Sequence, residues 1–382
     1  MKPAPALLAV LLLSSPALLP AAGGSADQPS LLVYDDFSDA QAEAPAFHAS
    51  KAAWTAADGT GGSPVQHDGA VQIGPAAGGS LGIDLPVTAA TSPLTVEFKL
   101  RKASQESAGA VLIRVRNAAA DSGIEITANS NEPYGAPWGW GNTGFGFRAV
   151  QAGKPGHFVT GMPGSLAADA QFHTVRVSLD PTPAYYEMKT QFTYDGVVKG
   201  ISAYLLPADV ALNRLEIVAA SGGPWLVDDV LVYVPSRGLA RAQEAVSFSQ
   251  AMVHASTRDG YLLELPYWQE KLAADTKRYE AARLDALQAL LTPHGIALPS
   301  DLAARAEEIA AAGKAAANPP ASAATQAAWT RAWDAITAVE QPYGWHTVKA
   351  HLLRDLANRC RRVAFYAAAA PASAAGSPDA VS

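Results

Sequence analysis

The 382-residue chain predicts an α+β protein whose two kinds of structure are segregated by domain: an all-β sandwich, then an α-helical domain. Three observations predict this. From Ser30 to Pro235, short apolar alternations are separated by Gly, Pro, Asp and Asn, the spacing of stacked antiparallel strands. Past Pro235 the composition turns to Ala, Leu, Arg, Glu and Gln with a helical period. Ahead of both, Lys2 and an apolar stretch from Ala6 to Leu19 run into the small residues Ala21 to Ala26, the form of a cleaved secretory leader. The expected boundaries are 1–26 for the signal peptide, 27–236 for the sandwich, 237–368 for the helical domain and 369–382 for a disordered tail.

The leader is too short to span a bilayer and no other segment is long and apolar enough, so a secreted or periplasmic chain without membrane insertion is expected. Loss of Lys2 with the leader takes the formal charge from −7 to −8, which provides no electrostatic reason to bind nucleic acid or an anionic membrane. Apolar residues make up 49% of the chain, enough to fill two cores. The single cysteine, Cys360, excludes an intrachain disulfide and a thiolate zinc cluster.

Within the first half, LTVEFKLR sets Leu94, Val96, Phe98 and Leu100 on one face and Thr95, Glu97, Lys99 and Arg101 on the other, a half-buried strand. The alternation recurs in AVLIRVR (Val111, Ile113, Val115), FHTVRVSLD (Phe172, Val175, Val177, Leu179), NRLEIVAA and WLVDDVLVYV. Roughly ten to thirteen strands are expected at the usual spacing. Were the LTVEFKLR and AVLIRVR strands neighbours, Glu97, Lys99, Arg101, Arg114 and Arg116 would form one charged outward surface. Asp58-Gly59, Asp68-Gly69 and Asp195-Gly196 are turn dipeptides that supply positive φ.

In the second half, Trp268, Leu272, Tyr279, Leu287 and Leu291 fall near one stripe of a helix begun at Pro266 and stopped by Pro293 and Gly295. A short helix from Ser300 to about Ala312 follows. Two further stripes run through Trp329, Trp333, Ile336 and Val339, and through Trp345, Val348, Leu352, Leu356, Cys360 and Val363. Docking on the sandwich and projection from it as a spacer are both open.

Two acidic pairs, Asp35-Asp36 and Asp228-Asp229, interrupt apolar strands near the two ends of the β half, and strand alternation points one member of each pair inward and its neighbour outward. Carboxylates in such strands are costly to bury unless paired, hydrogen-bonded or bound to a cation. Three readings compete: hydrogen bonding to backbone amides, a structural calcium site and catalysis by paired carboxylates. The string NSNEPYGAPWGWGNTGFGFR, residues 129–148, sets large flat side chains among glycines, as suits stacking on pyranose rings with Asn hydrogen-bonding hydroxyls.

Several of these stretches together resemble the concanavalin A-like lectin/glucanase superfamily in its laminin-G-like jelly-roll form. They are the opening YDDFSD, then Trp54, Asp58-Gly59 and the run from Val65 to Val71, LTVEFKLR, FHTVRVSLD, the late hairpin FTYDG and the closing LVDDVLVYV. The resemblance implies a jelly roll with first and last strands side by side, a late-strand Asp at a calcium site, and glycan binding on a polar concave face. Asp36, Asp228 and Asp229 are then the expected calcium ligands.

The function expected is an exported protein that binds carbohydrate or a glycan-bearing surface through Trp138, Trp140, Tyr134 and Asn142. A polysaccharide-active enzyme, glycoside hydrolase or lyase, is the alternative, with Glu97, Arg114 and Tyr186 on the concave face, although no E-x-D-x-x-E string occurs. A structural envelope or adhesion protein that self-associates through its helices is the third.

Overall fold

The computed structural model describes residues 28–38, 45–56, 65–67, 69–74, 80–86, 93–102, 109–130, 145–155, 159–160, 166–167, 169–180, 190–202, 211–221, 224–258 and 265–316. The leader, the helical stripes beyond residue 316, Cys360 and the expected tail lie outside the described residues. The strands are β1 (Ser30–Asp35), β2 (Phe47–His48), β3 (Val65–His67), β4 (Ala70–Ile73), β5 (Ser80–Asp84), β6 (Leu94–Lys102), β7 (Gly109–Arg116) and β8 (Gly123–Ser130). They continue as β9 (Phe145–Gln151), β10 (Lys154–Pro155), β11 (Val159–Thr160), β12 (His173–Leu179), β13 (Thr190–Tyr194), β14 (Val197–Ser202), β15 (Arg214–Ser221) and β16 (Trp225–Val234). Helices α1 (Arg237–Arg258), α2 (Leu265–Leu291), α3 (Ser300–Ala303) and α4 (Ala306–Ala315) follow. The strands exceed the expected number because several are two- or three-residue pairings that carry no alternation to read.

All pairings are antiparallel and fall into two sheets. The nine-stranded sheet runs β14-β13-β12-β6-β16-β1-β2, with β4 also on β16 and β3 on β4. The seven-stranded sheet runs β10-β9-β8-β7-β15-β5, with β11 also on β9. This is the expected jelly-roll-like sandwich followed by helices, and its first and last long strands, β1 and β16, are neighbours. Inward residues of both sheets, among them Val96, Phe98, Val177, Val227 and Val232 from one and Ile113, Ile126, Ile83 and Ile217 from the other, form a single core. Apolar alternation at period two therefore packs as read, with one exception: Phe172 precedes β12, is exposed, and lies under the Arg101 guanidinium.

Turn chemistry agrees with the sequence at the β13-β14 hairpin, where Asp195 (φ 48) and Gly196 (φ 74) both take the left-handed conformation. Helix α1 starts under a cap from Ser236, whose hydroxyl accepts the Leu239 N–H at 3.2 Å. Helix α2 ends where expected: a short 3-10 turn over Thr292–His294 leads to Gly295 at φ 70, and Ile296 N–H returns to the Leu291 carbonyl. The expected helix from Ser300 to Ala312 is broken into α3 and α4.

The helices dock on the outer face of the nine-stranded sheet. Leu31, Tyr34, Leu231 and Tyr233 from β1 and β16 pack with Leu239 and Val246 of α1 and Tyr279, Leu284, Leu287, Leu290 and Leu291 of α2. The polar residues of that sheet face are satisfied by the helices too. Gln243 donates to the Ser178 hydroxyl at 2.5 Å, and Ser247 donates to Gln191. Gln250 bonds both the N–H and the carbonyl of Val198, at 3.1 and 3.0 Å, and so covers part of the free edge of β14. Behind this contact, Asp275 of α2 joins Lys271, Arg278 and the Ser249 hydroxyl of α1.

Glu97, on β6, is the centre of the interface. It accepts the Tyr233 hydroxyl at 2.8 Å, lies 3.1 Å from Arg176 Nε on β12, and is held by Nε and Nη2 of Arg283 on α2. Burial acts to raise its pKa, but the charges of Arg176 and Arg283 outweigh it and lower the value from 4.5 to about 2. Its contribution to stability is complete above about pH 4.5 and is lost as pH falls toward 2.

Arg283→Met leaves Glu97 buried with part of its partners and is expected to cost about 3 kcal/mol, read as a lowered denaturant midpoint that moves sandwich and helix signals together. Helix α4 crosses α2 at Gly313, where an added Cβ would stand 2.3 Å from Ala281 Cβ. Gly313→Ala is expected to lower thermal stability despite its higher helix propensity, whereas a rise would show that the crossing adjusts freely.

Candidate functional site

The acidic pairs come together at the junction of β1 and β16. One edge of β16 pairs first with β4, through Trp225 to Val227, and then with β1, through Val230 to Val234. Asp228 and Asp229 occupy the change of partner. The register against β6 slips between Asp228 and Leu231, and Asp229 adopts φ 48, so this is a β-bulge. Val227 and Val230 both enter the core, and the two aspartates between them lie outside it. The expected inward-outward split of this pair is thereby corrected: a bulge adds one residue and resets the alternation. For the other pair the split holds. Asp35 is buried and accepts Trp54 Nε1 at 2.6 Å and the Phe37 N–H at 2.9 Å, while Asp36 is half-buried and caps Ser38.

Asp229 is paired with Lys99 at 2.5 Å, and Asp228 accepts the Asp229 N–H. Burial, and then the charges of Asp229 and Asp36, push the Asp228 carboxyl from 3.8 up to about 6. Among the described residues no group of three or more His, Cys, Asp or Glu side chains is disposed to hold a metal ion. Lys99 is the cation beside Asp229.

The expected catalytic grouping is not assembled either. Glu97 and Arg114 belong to different sheets, because the LTVEFKLR and AVLIRVR strands are not neighbours. Glu97 lies beneath the helices, Arg114 is on the outer face of the opposite sheet, and Tyr186 is outside the described residues. The helical layer has taken the polar face of the nine-stranded sheet.

That leaves the outer face of the seven-stranded sheet, and a set of side chains the sequence does not group. Across the strands, Glu216 on β15, Arg114 on β7, Glu125 on β8 and Arg148 on β9 stand in one row. Asp84, Arg214 and Arg116 form the row beside it. Arg114 Nε is 2.8 Å from Glu125 and Arg116 Nη2 is 3.4 Å from it, while Arg148 binds its other oxygen. Glu216 receives Arg214 at 3.1 Å and lies 3.8 and 3.7 Å from Arg114 and Arg116. Arg214 reaches on to Asp84 at 2.7 Å and to the Thr55 hydroxyl at 3.2 Å.

The carboxylates of Glu125 and Glu216 are buried, with side-chain exposures of 1% and 3%, while the four arginines keep between 17% and 26%. Acceptors lie underneath and guanidinium donors on top. Burial lowers the Arg116 pKa, helped by the charge of Arg114, whereas hydrogen bonds to Asp84 and Glu216 overcome burial at Arg214 and raise it. Next to the charged rows, the facing positions are Leu112, Thr127, Gly146 and Val218, of which Thr127 and Val218 are buried. Strands β8 and β9 then lead into the segment that holds Tyr134, Trp138, Trp140 and Asn142; these four lie outside the described residues.

No family model matches the chain, and comparison with curated proteins yields no match. Among solved structures, the carbohydrate binding module CBM66 from Bacillus subtilis is similar at 10% identity over 47% of this chain and 94% of that one, with a TM-score of 0.33. Domain 4 of AbnA, a GH43 extracellular arabinanase from Geobacillus stearothermophilus in complex with arabinotriose, shows 15% identity over 55% and 95%, with a TM-score of 0.34. A tetrameric galectin from the ball sponge Cinachyrella sp. shows 14% identity over 40% and 96%, with a TM-score of 0.29.

At the bulge, Asp228→Asn keeps an acceptor for the Asp229 N–H and removes a like charge. The folded protein holds the Asp228 proton up to about pH 6 and an unfolded chain only to 3.8, so wild-type stability falls as pH rises across that window. The variant is expected to be more stable above pH 6 by about 1 kcal/mol, after allowance for solvent screening, and to lose that slope in a series of thermal melts.

Proposed function

We propose that this protein binds polysaccharide on the outer face of its seven-stranded sheet, with Trp138, Trp140, Tyr134 and Asn142 contributing at the end where β8 and β9 connect. The observation that carries the reading is the asymmetry of the sandwich: helices pack on one polar sheet face, while the other presents guanidinium groups pinned by buried carboxylates. Fixed donors suit a ligand rich in hydroxyl oxygens, because little side-chain entropy is left to lose on binding. The reading is supported by chain connectivity: Arg148 is three residues, or about 10 Å, from Phe145 at the start of β9, and the aromatic segment precedes Phe145 in sequence. Stacking of indole faces on sugar rings would add area that the charged rows lack.

The laminin-G-like, concanavalin A-like assignment belongs to this proposal, as does export through the leader of residues 1–26. Binding in this reading is shallow and involves no covalent chemistry.

Affinity electrophoresis of the full chain through gels containing single polysaccharides tests it. At least one neutral or acidic polysaccharide is expected to retard the protein, and Trp138→Ala with Trp140→Ala to weaken that retardation about tenfold with an unchanged melting point. Retardation by none of a panel of plant, algal and bacterial polysaccharides would reject the reading.

A further inference from the structure

We propose that the cavity between the nine-stranded sheet and helices α2 and α3 binds one or two rings of a neutral sugar, either free or at the end of a glycan chain. The site lies on the opposite side of the sandwich from the outer face of the seven-stranded sheet and does not rest on glycan binding there. Two rows of side chains form its floor. Tyr34, Leu231, Glu97 and Arg176 stand opposite one another across β1, β16, β6 and β12. Beside them, Lys99 faces Thr174 across β6 and β12, and the bulged Asp229 reaches Lys99. Leu287 and Leu291 of α2 and Leu302 of α3 form the roof. A space of about 290 Å³ remains between them: Thr174 is short, and a Cβ placed on Gly196, in the adjoining hairpin, would meet no atom within 4 Å. That volume is at the small end of ligand pockets and suits a mono- or disaccharide, not a longer stretch of polymer.

The lining is charged, yet its charges are matched in place. Glu97 is shared by Arg176 and Arg283, and Glu280 lies 3.8 Å from Arg283. Lys99 is 2.5 Å from Asp229 and 3.6 Å from Asp301. Burial acts to lower the Lys99 pKa, but the hydrogen bond and charge of Asp229 outweigh it and raise the value, so the ammonium keeps its proton. Asp195 accepts the Thr174 N–H and meets His173 Nδ1 at 2.6 Å, and Arg305 has Glu308 at 3.6 Å. A charged ligand would have to displace one of these pairs or go uncompensated in a region of low polarity. A neutral ligand leaves all of them intact.

Hydrogen-bonding capacity selects among neutral ligands. A carboxylate offers about four acceptor sites. Asp229 and Asp301 each meet one cation, Lys99, and Asp195 has two partners, so all three retain acceptors for incoming hydroxyls. The Lys99 ammonium has three donors and two carboxylate partners, which leaves one for a hydroxyl oxygen. The matching ligand is therefore a polyol that mainly donates, and not an ether or ketone of the same size. Leu231, Leu287, Leu291 and Leu302 supply an apolar wall opposite these groups, as the C–H face of a sugar ring requires.

Isothermal titration and thermal melts of the full chain test this with glucose, galactose, mannose, arabinose, xylose, maltose and cellobiose. The sugar that binds best is then compared with its deoxy forms, its amino sugar and its uronic acid. At least one sugar is expected to bind and to raise the melting temperature, by mass action on the state in which sheet and helices are joined. Removal of a single hydroxyl is expected to weaken binding about tenfold at one or more ring positions, and the charged counterparts to bind about tenfold more weakly. Asp229→Asn, whose side chain tolerates the left-handed conformation of the bulge, is expected to cost about tenfold. Thr174→Phe from the floor and Leu302→Phe from the roof are each expected to abolish binding by filling the space. They lie on opposite walls, so a failure of one to fold leaves the other, and the deoxy sugars need no variant. A hexasaccharide that binds as well as the disaccharide identifies the chain end as the source, whereas binding of the small sugars alone identifies the free form; both support the site. Binding by none of the sugars overturns the proposal, as does binding that survives both Phe variants or is equally strong for a charged counterpart. The polysaccharide reading is tested separately, through Trp138 and Trp140.

Discussion

A buried carboxylate sets the architecture. Glu97 stands in the middle strand of the nine-stranded sheet on the face opposite the core, and it is buried only because α2 lies over it. Leaving it there without Arg283 would strand a charge in a region of low polarity, and exposing it would require the helical layer to lift. Arg176 from the adjacent strand and Tyr233 from β16 complete its shell, with the Arg176 guanidinium 5.0 Å from the centre of the Tyr279 ring. Sheet and helices are thus joined by a charge that neither can accommodate alone, and the apolar contacts of Leu231, Leu287 and Leu290 belong to the same interface. The geometry also makes the helical half part of the folding unit of the sandwich.

The asymmetry of the molecule follows from that contact. A two-sheet sandwich has two outer faces, and each of these carries alternating polar residues. Helices α1 and α2 complement one face with Gln243, Ser247, Gln250 and Arg283, each opposite a polar group of the sheet. On the other face the polar groups complement one another, carboxylate beneath guanidinium. The first arrangement spends the hydrogen-bonding capacity of the sheet inside the protein; the second keeps part of it directed outward. Edge protection by Gln250 and the bulge at Asp228-Asp229 belong to the first arrangement and have a structural role.

How legible this was in the sequence differs residue by residue. Leu94, Val96, Phe98 and Leu100 announced their face by period-two alternation, and Asp195-Gly196 announced its turn, because strand periodicity and positive φ are local properties. The start and stop of α2 at Pro266 and Gly295 were readable for the same reason. Glu97 was read as a member of an outward surface and is outward, yet buried: the alternation specifies a face, not what covers it. Arg114 was grouped with Glu97 on the premise that consecutive long strands adjoin, but the chain crosses from one sheet to the other between β6 and β7. Glu125, Arg148, Arg214 and Glu216 could have been found as outward positions of their strands. Their assembly into one network could not, since cross-strand partners up to 130 residues apart in sequence leave no local trace.

By itself the sequence determined that a β sandwich is followed by helices, which residues of each strand enter its core, and where its tight turns and the ends of its longest described helix fall. Each of these depends on the period and local conformational preferences of consecutive residues. Tertiary structure alone decided that the helices cover the nine-stranded sheet, that the acidic pairs belong to a bulge and a tryptophan hydrogen bond, and that the arginines collect on the opposite face. Those outcomes depend on strand order, register and the complementarity of distant surfaces, where a buried charge is stable only beside a partner that another part of the chain supplies.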